Sequence, residues 1–368
     1  MSTASFLHRM TNRWAGGLLA LSGTLCACLI QASAQAQSPA PDLKTLQAQA
    51  RAQGQLVTVG MPDDWANWKG VFGALKQRHG IARQDADMSS AEQIARLEAE
   101  RGRPVTDLGD VGFEFGAIAK ARGLTQAYKP STWAQVPDWA KDAEGHWALA
   151  YTGTIAFAIN TQRVKQLPDS WKALFSGQYR VMVGEVGRSS QANAAVLSAA
   201  VALGGSETDL APALKAFAPL ARAGRLLQTN PTPALMERAE ADVFILWDFN
   251  ALSYLAKLPV PAHYTVLIPK DGSITSGYST LIPRTAPRPQ AAMMAREFIF
   301  SDEGQLLIAK GWARPIRVDQ LQMPAELKAQ LLDSAQYAKA RGLKAGVWTE
   351  EVKKLPRAWQ RDVLAGGA

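Results

Sequence analysis

The stretch ADVFILWDFNALSYL, residues 241–255, decides how the rest of the chain is read. Its run Val243-Phe244-Ile245-Leu246 is apolar at four consecutive positions and so keeps no polar face for water. A strand of that kind is buried on both sides, as in a parallel sheet covered by helices. The run stops abruptly at Trp247-Asp248-Phe249-Asn250, which sets a large aromatic beside a carboxylate at the carboxyl end of the strand. Open α/β sheets bind ligands at such ends, so Trp247 and Asp248 are the first candidate site residues. The competing reading is that Trp247 packs between lobes and Asp248 caps a helix beginning near Asn250.

Outward from that strand, helix and strand patterns alternate. QLVTVGM (55–61) reads as a strand and DDWANWKGVFGALKQRHG (63–80) as a helix closed by Gly80. IARQDADM (81–88) is a poor strand candidate, whereas SSAEQIARLEAERG (89–102) is a helix with a serine cap and Gln93 placed for a capping box. A short strand in VTDLGDVGFEF, a short helix in GAIAKARGL and the long alternating HWALAYTGTIAFAIN (146–160) follow. Further on come a strand at 179–183, the alanine-rich helix QANAAVLSAAVALGG, the helix DLAPALKAFAPLARAG, two strands in AHYTVLIPKDGSITSGYSTLIP, a helical pair and a helical tail from Ala325. This β-α-β-α order argues for parallel sheets flanked by helices.

The chain has 368 residues, 47% hydrophobic and 20% charged, enough to bury one or two substantial cores. Arg9 and Arg13 precede an uncharged stretch from Trp14 to Ile30, followed by the small-x-small sites Ala32-Ser33-Ala34 and Ala34-Gln35-Ala36. That is the pattern of a secretory signal peptide over residues 1–34, removed on export to the periplasm. A retained membrane helix fits less well, because Gly16, Gly17 and Gly23 break the apolar segment. Leu25-Cys26-Ala27-Cys28 loosely matches a lipobox, which leaves lipid anchoring at Cys28 as the alternative. Both cysteines lie in this leader, so the mature chain is expected to have no disulfide and no thiolate metal site. Losing residues 1–34 removes two arginines and no acid, which lowers the formal charge from +8 to +6. The remaining charges are mixed along the chain, as on a solvated surface, and nucleic acid is not an expected partner.

Six segments in order carry a resemblance: QLVTVG, AEQIARLEAERGRPVTDLGDV, YTGTIAFAIN, LPDSWKALFSGQYRVMVG, AEADVFILWDFNAL and SGYSTLIPRTAPRPQAAMMAREFIFSDEGQ. Over about Gly54 to Arg317 the chain resembles the extracellular solute-binding proteins of ABC importers, in the branch that takes ferric iron, thiamine, polyamines and phosphonates. The resemblance implies an α/β, two-lobed type II periplasmic binding protein fold, with a mostly parallel sheet in each lobe and crossing hinge strands between them. It divides the chain into a first lobe of 54–153 plus 275–317, a second lobe of 154–274 and a C-terminal tail of 318–368. It also implies an interlobe ligand cleft, delivery to a membrane permease with its cytoplasmic ATPase, a monomer and no cofactor. A binding protein serving a sensor would use the same capture chemistry.

Trp247 with Asp248, and Asp64 with Trp65 after the first strand, pair a π-face with a fixed negative charge, which suits an organic cation. Ser89-Ser90 and Ser189-Ser190 each open a helix, where free N–H groups favour an anion, and Arg188 stands beside the second pair. Each serine pair is equally an ordinary N-cap. Tyr278 and Thr152 lie at expected crossover strands. Together these residues suit a small solute carrying an ammonium and an acidic group, such as an aminoalkylphosphonate or thiamine and its phosphates; polyamines suit the first side alone. Iron-binding relatives use an adjacent tyrosine pair, which this chain lacks, having Phe249-Asn250 there. His79, His146 and His263 have no zinc-like spacing. No G-x-S-x-G, H-E-x-x-H, Walker or S-x-x-K motif is present, and Asp107, Asp110 and Glu114 read as readily as turn residues as an acid–base pair, so an enzyme is not expected.

Overall fold

The structure, a computed structural model, describes residues 42–365. The leader, its cleavage sites, Cys26 and Cys28 lie outside the described residues. The first strands are β1 (Gln55–Val59), β2 (Ala82–Ala86), β3 (Leu108–Gly112), β4 (Thr125–Gln126), β5 (Trp147–Asn160) and β6 (Val181–Met182). They are followed by β7 (Leu226–Leu227), β8 (Val243–Trp247), β9 (Tyr264–Leu267), β10 (Ser273–Pro283), β11 (Arg314–Pro315) and β12 (Ala340–Gly342). They form one sheet in the order β2-β1-β3-β10-β5-β8-β6-β7, with β4 and β12 on β10 and β9 and β11 on β5.

Each end of this sheet is parallel: β1 pairs with β2 and β3 at one end, β6 with β7 and β8 at the other. The two long antiparallel strands β5 and β10 join them. Along β5 the partner changes in one step, since Thr154 faces Thr275 of β10 and the next residue, Ile155, faces Trp247 of β8. One strand therefore belongs to both ends, and the result is two α/β lobes hinged on β5 and β10. From Ala148 to Asn160 every residue of β5 is buried, which explains why its sequence is so poor in charge. The helix Ser190–Ala202 is buried almost all round, and its alanines let it press close to the sheet.

Several expectations are corrected. IARQDADM does form a strand, β2, a half-exposed edge that needs little apolar content because only β1 pairs with it. The capping box over Ser89 uses Glu92, the third residue on, not Gln93; Gln93 Nε2 instead donates to the Asp110 carbonyl at 2.7 Å. The helix after β1 begins at Trp68, not in DDWAN, because Ala66 and Asn67 take positive φ of 47° and 58°. The helix after β8 begins at Asp248 itself. The tail is not one helical run from Ala325: a short helix, Ala325–Ala329, is followed by β12, and an unbroken helical stretch of changing pitch then runs from Ala345 to Leu364. Among the described residues no helix is long and apolar enough to cross a membrane.

Candidate functional site

A cavity of about 510 Å³ opens where the carboxyl ends of the parallel strands from both lobes converge. Gly60, Pro62, Asp64 and Trp65 come from the loop after β1, and Asp87, Met88, Ser89 and Ser90 from the loop after β2. Glu185, Ser189, Ser190 and Gln191 follow β6, and Asn230 to Pro233 follow β7. Asp110 of β3, Tyr278 of β10 and Tyr254 complete the wall with Glu92 and Gln93. Asn230 holds two of these loops together by accepting from Glu185 N at 3.0 Å.

The floor is an aromatic network locked by hydrogen bonds. Trp65 Nε1 donates to Tyr151 Oη at 2.6 Å, and Tyr151 Oη donates to Asp110 Oδ2 at 2.5 Å. Tyr151 stacks on Tyr278, its register partner across β5 and β10, and Trp65 meets Tyr278 and Phe249 edge-on. Asp110 is almost wholly buried and its Oδ1 has no partner. Burial pushes its carboxyl up to about 8, against the pull of the Tyr151 hydroxyl.

The loop that carries Trp65 is held by close backbone contact. Asn67 Nδ2 donates to the Leu307 carbonyl at 2.8 Å, and Asn67 Oδ1 accepts from Gly70 N. Gly311 packs against the same loop so tightly that a Cβ there would stand 2.5 Å from Ala66 C and Asn67 N. Gly311→Ala should therefore cost roughly 1–3 kcal/mol of stability and shift Trp65, because neither backbone can yield. Denaturant unfolding with Trp65 accessibility to a quencher checks this; unchanged stability would mean that the contact is slack.

The sequence candidates divide into three groups. Asp64, Trp65, Ser89, Ser90, Ser189, Ser190 and Tyr278 all line the cavity. Arg188 stands at its rim, paired with Glu92 of the other lobe and 3.7 Å from Glu185. Lys257 makes a second bond between lobes, 2.7 Å from Asp64, and Ser190 Oγ donates to buried Glu114 at 3.0 Å.

Trp247, Asp248 and Thr152 do not line the cavity. Trp247 is fully buried behind it, where its Nε1 donates to Tyr278 Oη at 3.0 Å and so orients a residue that does line it. Asp248 accepts from Thr154 N and Phe249 N, both at 2.9 Å, and from Tyr337 Oη at 2.7 Å. Its carboxylate is thus committed to the hinge and to the first turn of its own helix, in which it is the first residue and Trp247, not Asp248, takes the N-cap position. Thr152 and Asp248 border a separate cavity behind the hinge.

Asp87, Glu92, Glu185, Gln191, Asn230 and Tyr254 also line the cavity and are not among the sequence candidates. All but Tyr254 stand in, or open the helix after, a loop at a parallel strand's carboxyl end, the one signal that could have found them. Asp110, read as a turn residue, sits inside β3. Asp107 is structural: it accepts from Val57 N and pairs with Arg288 at 2.7 Å.

The fold and the cleft can be set beside known proteins. The periplasmic binding protein AfuA from Actinobacillus pleuropneumoniae, with fructose-6-phosphate bound, superimposes with a TM-score of 0.71 at 18% identity, covering 84% of this chain and 99% of its own. AgtB from A. tumefaciens, in complex with agropinic acid, gives 0.70 at 17% identity over 84% of this chain and 99% of its own. A putative spermidine/putrescine ABC transporter protein from Listeria monocytogenes gives 0.63 at 16% identity over 81% and 98%. These likenesses establish the two-lobed type II periplasmic binding protein fold. No curated protein sequence matches this chain significantly. The sequence family described as bacterial extracellular solute-binding proteins matches residues 105–339, a span that holds β3, both hinge strands and the whole second half of the cleft. With strand ends from two lobes converging on one cavity and that family covering most of the chain, this protein belongs to the bacterial extracellular solute-binding proteins.

Proposed function

We propose that this protein captures a small organic cation in the interlobe cleft, in the periplasm, and delivers it to an ABC permease. One observation carries the reading: the cavity is lined by five carboxyl groups, Asp64, Asp87, Glu92, Asp110 and Glu185, three of them met at its edge by Lys257 or Arg188, by Trp65, Tyr254 and Tyr278, and, among the described residues, by no lysine, arginine or histidine. An ammonium group gains both from such acids and from aromatic faces, whereas an anion gains from neither. Two of the four serine hydroxyls at the helix starts are already taken by the protein's own acids. Glu92 accepts from Ser89 N at 2.9 Å and from Ser89 Oγ at 2.8 Å, and Ser190 donates to Glu114.

Thiamine, a di- or polyamine, or another ammonium compound fits this chemistry. The phosphate of a thiamine phosphate, or an aminoalkylphosphonate's acidic end, would have to sit at the Arg188 rim. The lobes in this reading are residues 54–153 with 275–317, and residues 154–274. A thermal-shift screen tests it: an ammonium compound at a hundred times its dissociation constant should add about 2.7 kcal/mol. Stabilisation by sugar phosphates or phosphonates alone would contradict it.

Ferric iron held by tyrosinates is not part of this reading. Tyr151 Oη is engaged by Trp65 and Asp110 and Tyr278 Oη by Trp247, and burial raises both phenols far above their ordinary value. Ferric citrate should therefore produce no tyrosinate charge-transfer band in the visible spectrum. A strong band would restore the iron alternative.

A further inference from the structure

The cavity behind the hinge is about 610 Å³, comparable to the cleft, and nothing in the cleft chemistry uses it. Its wall joins the hinge strands to the C-terminal segment: Thr152 and Thr154 of β5, Thr275 of β10, then Trp312, Arg314 and Lys328. The balance of charge free inside it is cationic. Arg314 and Lys328 are exposed, and neither has a hydrogen-bonded or ion-pair partner among the described residues. Of the two acids on the wall, Asp248 is engaged by three donors, and exposed Asp333 gives one oxygen to Ala335 N at 2.8 Å and keeps its charge, so two cations face one charged acid. Trp312 adds an aromatic surface, held at a positive φ of 63° that a bulky side chain seldom adopts. Arg314 lies across from Thr152 in the β11–β5 pairing, so its guanidinium stands on a strand bonded directly to the hinge strand β5.

We propose that this rear cavity is a second small-molecule site, for an organic carboxylate with a flat apolar body. The carboxylate pairs with Arg314 and Lys328, and the body lies against Trp312. An arginine is suited to the first task because its planar fork matches a carboxylate's two oxygens. The site is independent of the cation in the cleft and has the opposite charge preference. Its ligand would touch β5 within two residues of the place where that strand passes from one lobe to the other.

Calorimetric titration of benzoate into the protein tests the proposal. One benzoate should bind per chain, and Arg314→Ala should weaken it by about tenfold or more, the loss expected when a charge-assisted bond is removed. Lys328→Ala should weaken it severalfold. Both side chains are exposed and unpartnered, so neither substitution threatens folding. Asp110→Asn, in the cleft, should leave benzoate binding unchanged, which separates this site from the cleft reading. Absence of binding up to about 10 mM benzoate, binding indifferent to Arg314→Ala, or binding abolished by Asp110→Asn would each overturn the proposal.

Discussion

An organic cation should bind this protein more tightly as pH rises towards 8, and the gain should stop there. Asp110 in the empty cleft keeps its proton up to about pH 8, because burial disfavours the carboxylate. A cation in the cavity favours the charged form, so the complex holds fewer protons than the free protein below that pH. Affinity must then rise with pH, by at most about tenfold per unit, and level off once free Asp110 is itself ionised. Asp110→Asn should abolish this dependence and weaken binding at pH 9 by about 2–5 kcal/mol. The Asn carbonyl can still accept from Tyr151, so the fold is kept. The same residue sets a second sign. Unfolded, Asp110 loses its proton near its ordinary value of 3.8; folded, near 8, so the folded state holds the extra proton between them. Asp110 therefore lowers stability progressively as pH rises through that window, and Asp110→Asn should melt higher than the parent at pH 8 without ligand. Calorimetry in buffers of different ionisation enthalpy checks the first effect through the proton released. A pH-independent affinity would show that Asp110 does not meet the ligand's charge.

Asp248→Ala should destabilise the protein by about 3–5 kcal/mol while leaving cleft binding nearly unchanged. The truncation strands two amides, Thr154 N and Phe249 N, and the Tyr337 hydroxyl, all bonded to this one carboxylate. Each buried donor left unpaired costs about 1–3 kcal/mol, part of which relaxation or water recovers. Asp248→Asn keeps an acceptor for the amides and should cost less. Denaturant unfolding and ligand calorimetry on the same two variants separate stability from capture. Intact stability with lost affinity would return Asp248 to the ligand.

The fate of Trp247-Asp248 shows how far the sequence could be read. Four apolar residues in a row marked β8 as a doubly covered strand, and it is one, 0% exposed from Val243 to Trp247. Periodicity also marked β5, β10 and the helices at Ser89 and Ser189, because burial imposes their patterns locally. Which way the end of β8 faces is not local. It depends on Thr154 and Tyr337 arriving from 94 and 89 residues away to take up the carboxylate, and no spacing announces that. Asp110 is the converse case. Set in LGDVG it looks like a turn residue, and only the pairing of β3 with β10, which brings Tyr278 opposite Gly112, turns it into a buried acid at the cavity wall. Trp65 and the serine pairs were legible because they stand immediately after strands, where α/β topology collects ligand contacts whatever the tertiary detail.

That the solute is a cation can be checked in one calorimetric panel. Putrescine, choline and thiamine are titrated into the protein at pH 8 beside fructose 6-phosphate and 2-aminoethylphosphonate. At least one ammonium compound should bind once per chain, its binding should release protons, and Asp110→Asn should weaken it. Tight binding of the sugar phosphate or the phosphonate, with none of the ammonium compounds bound, would contradict a cationic solute.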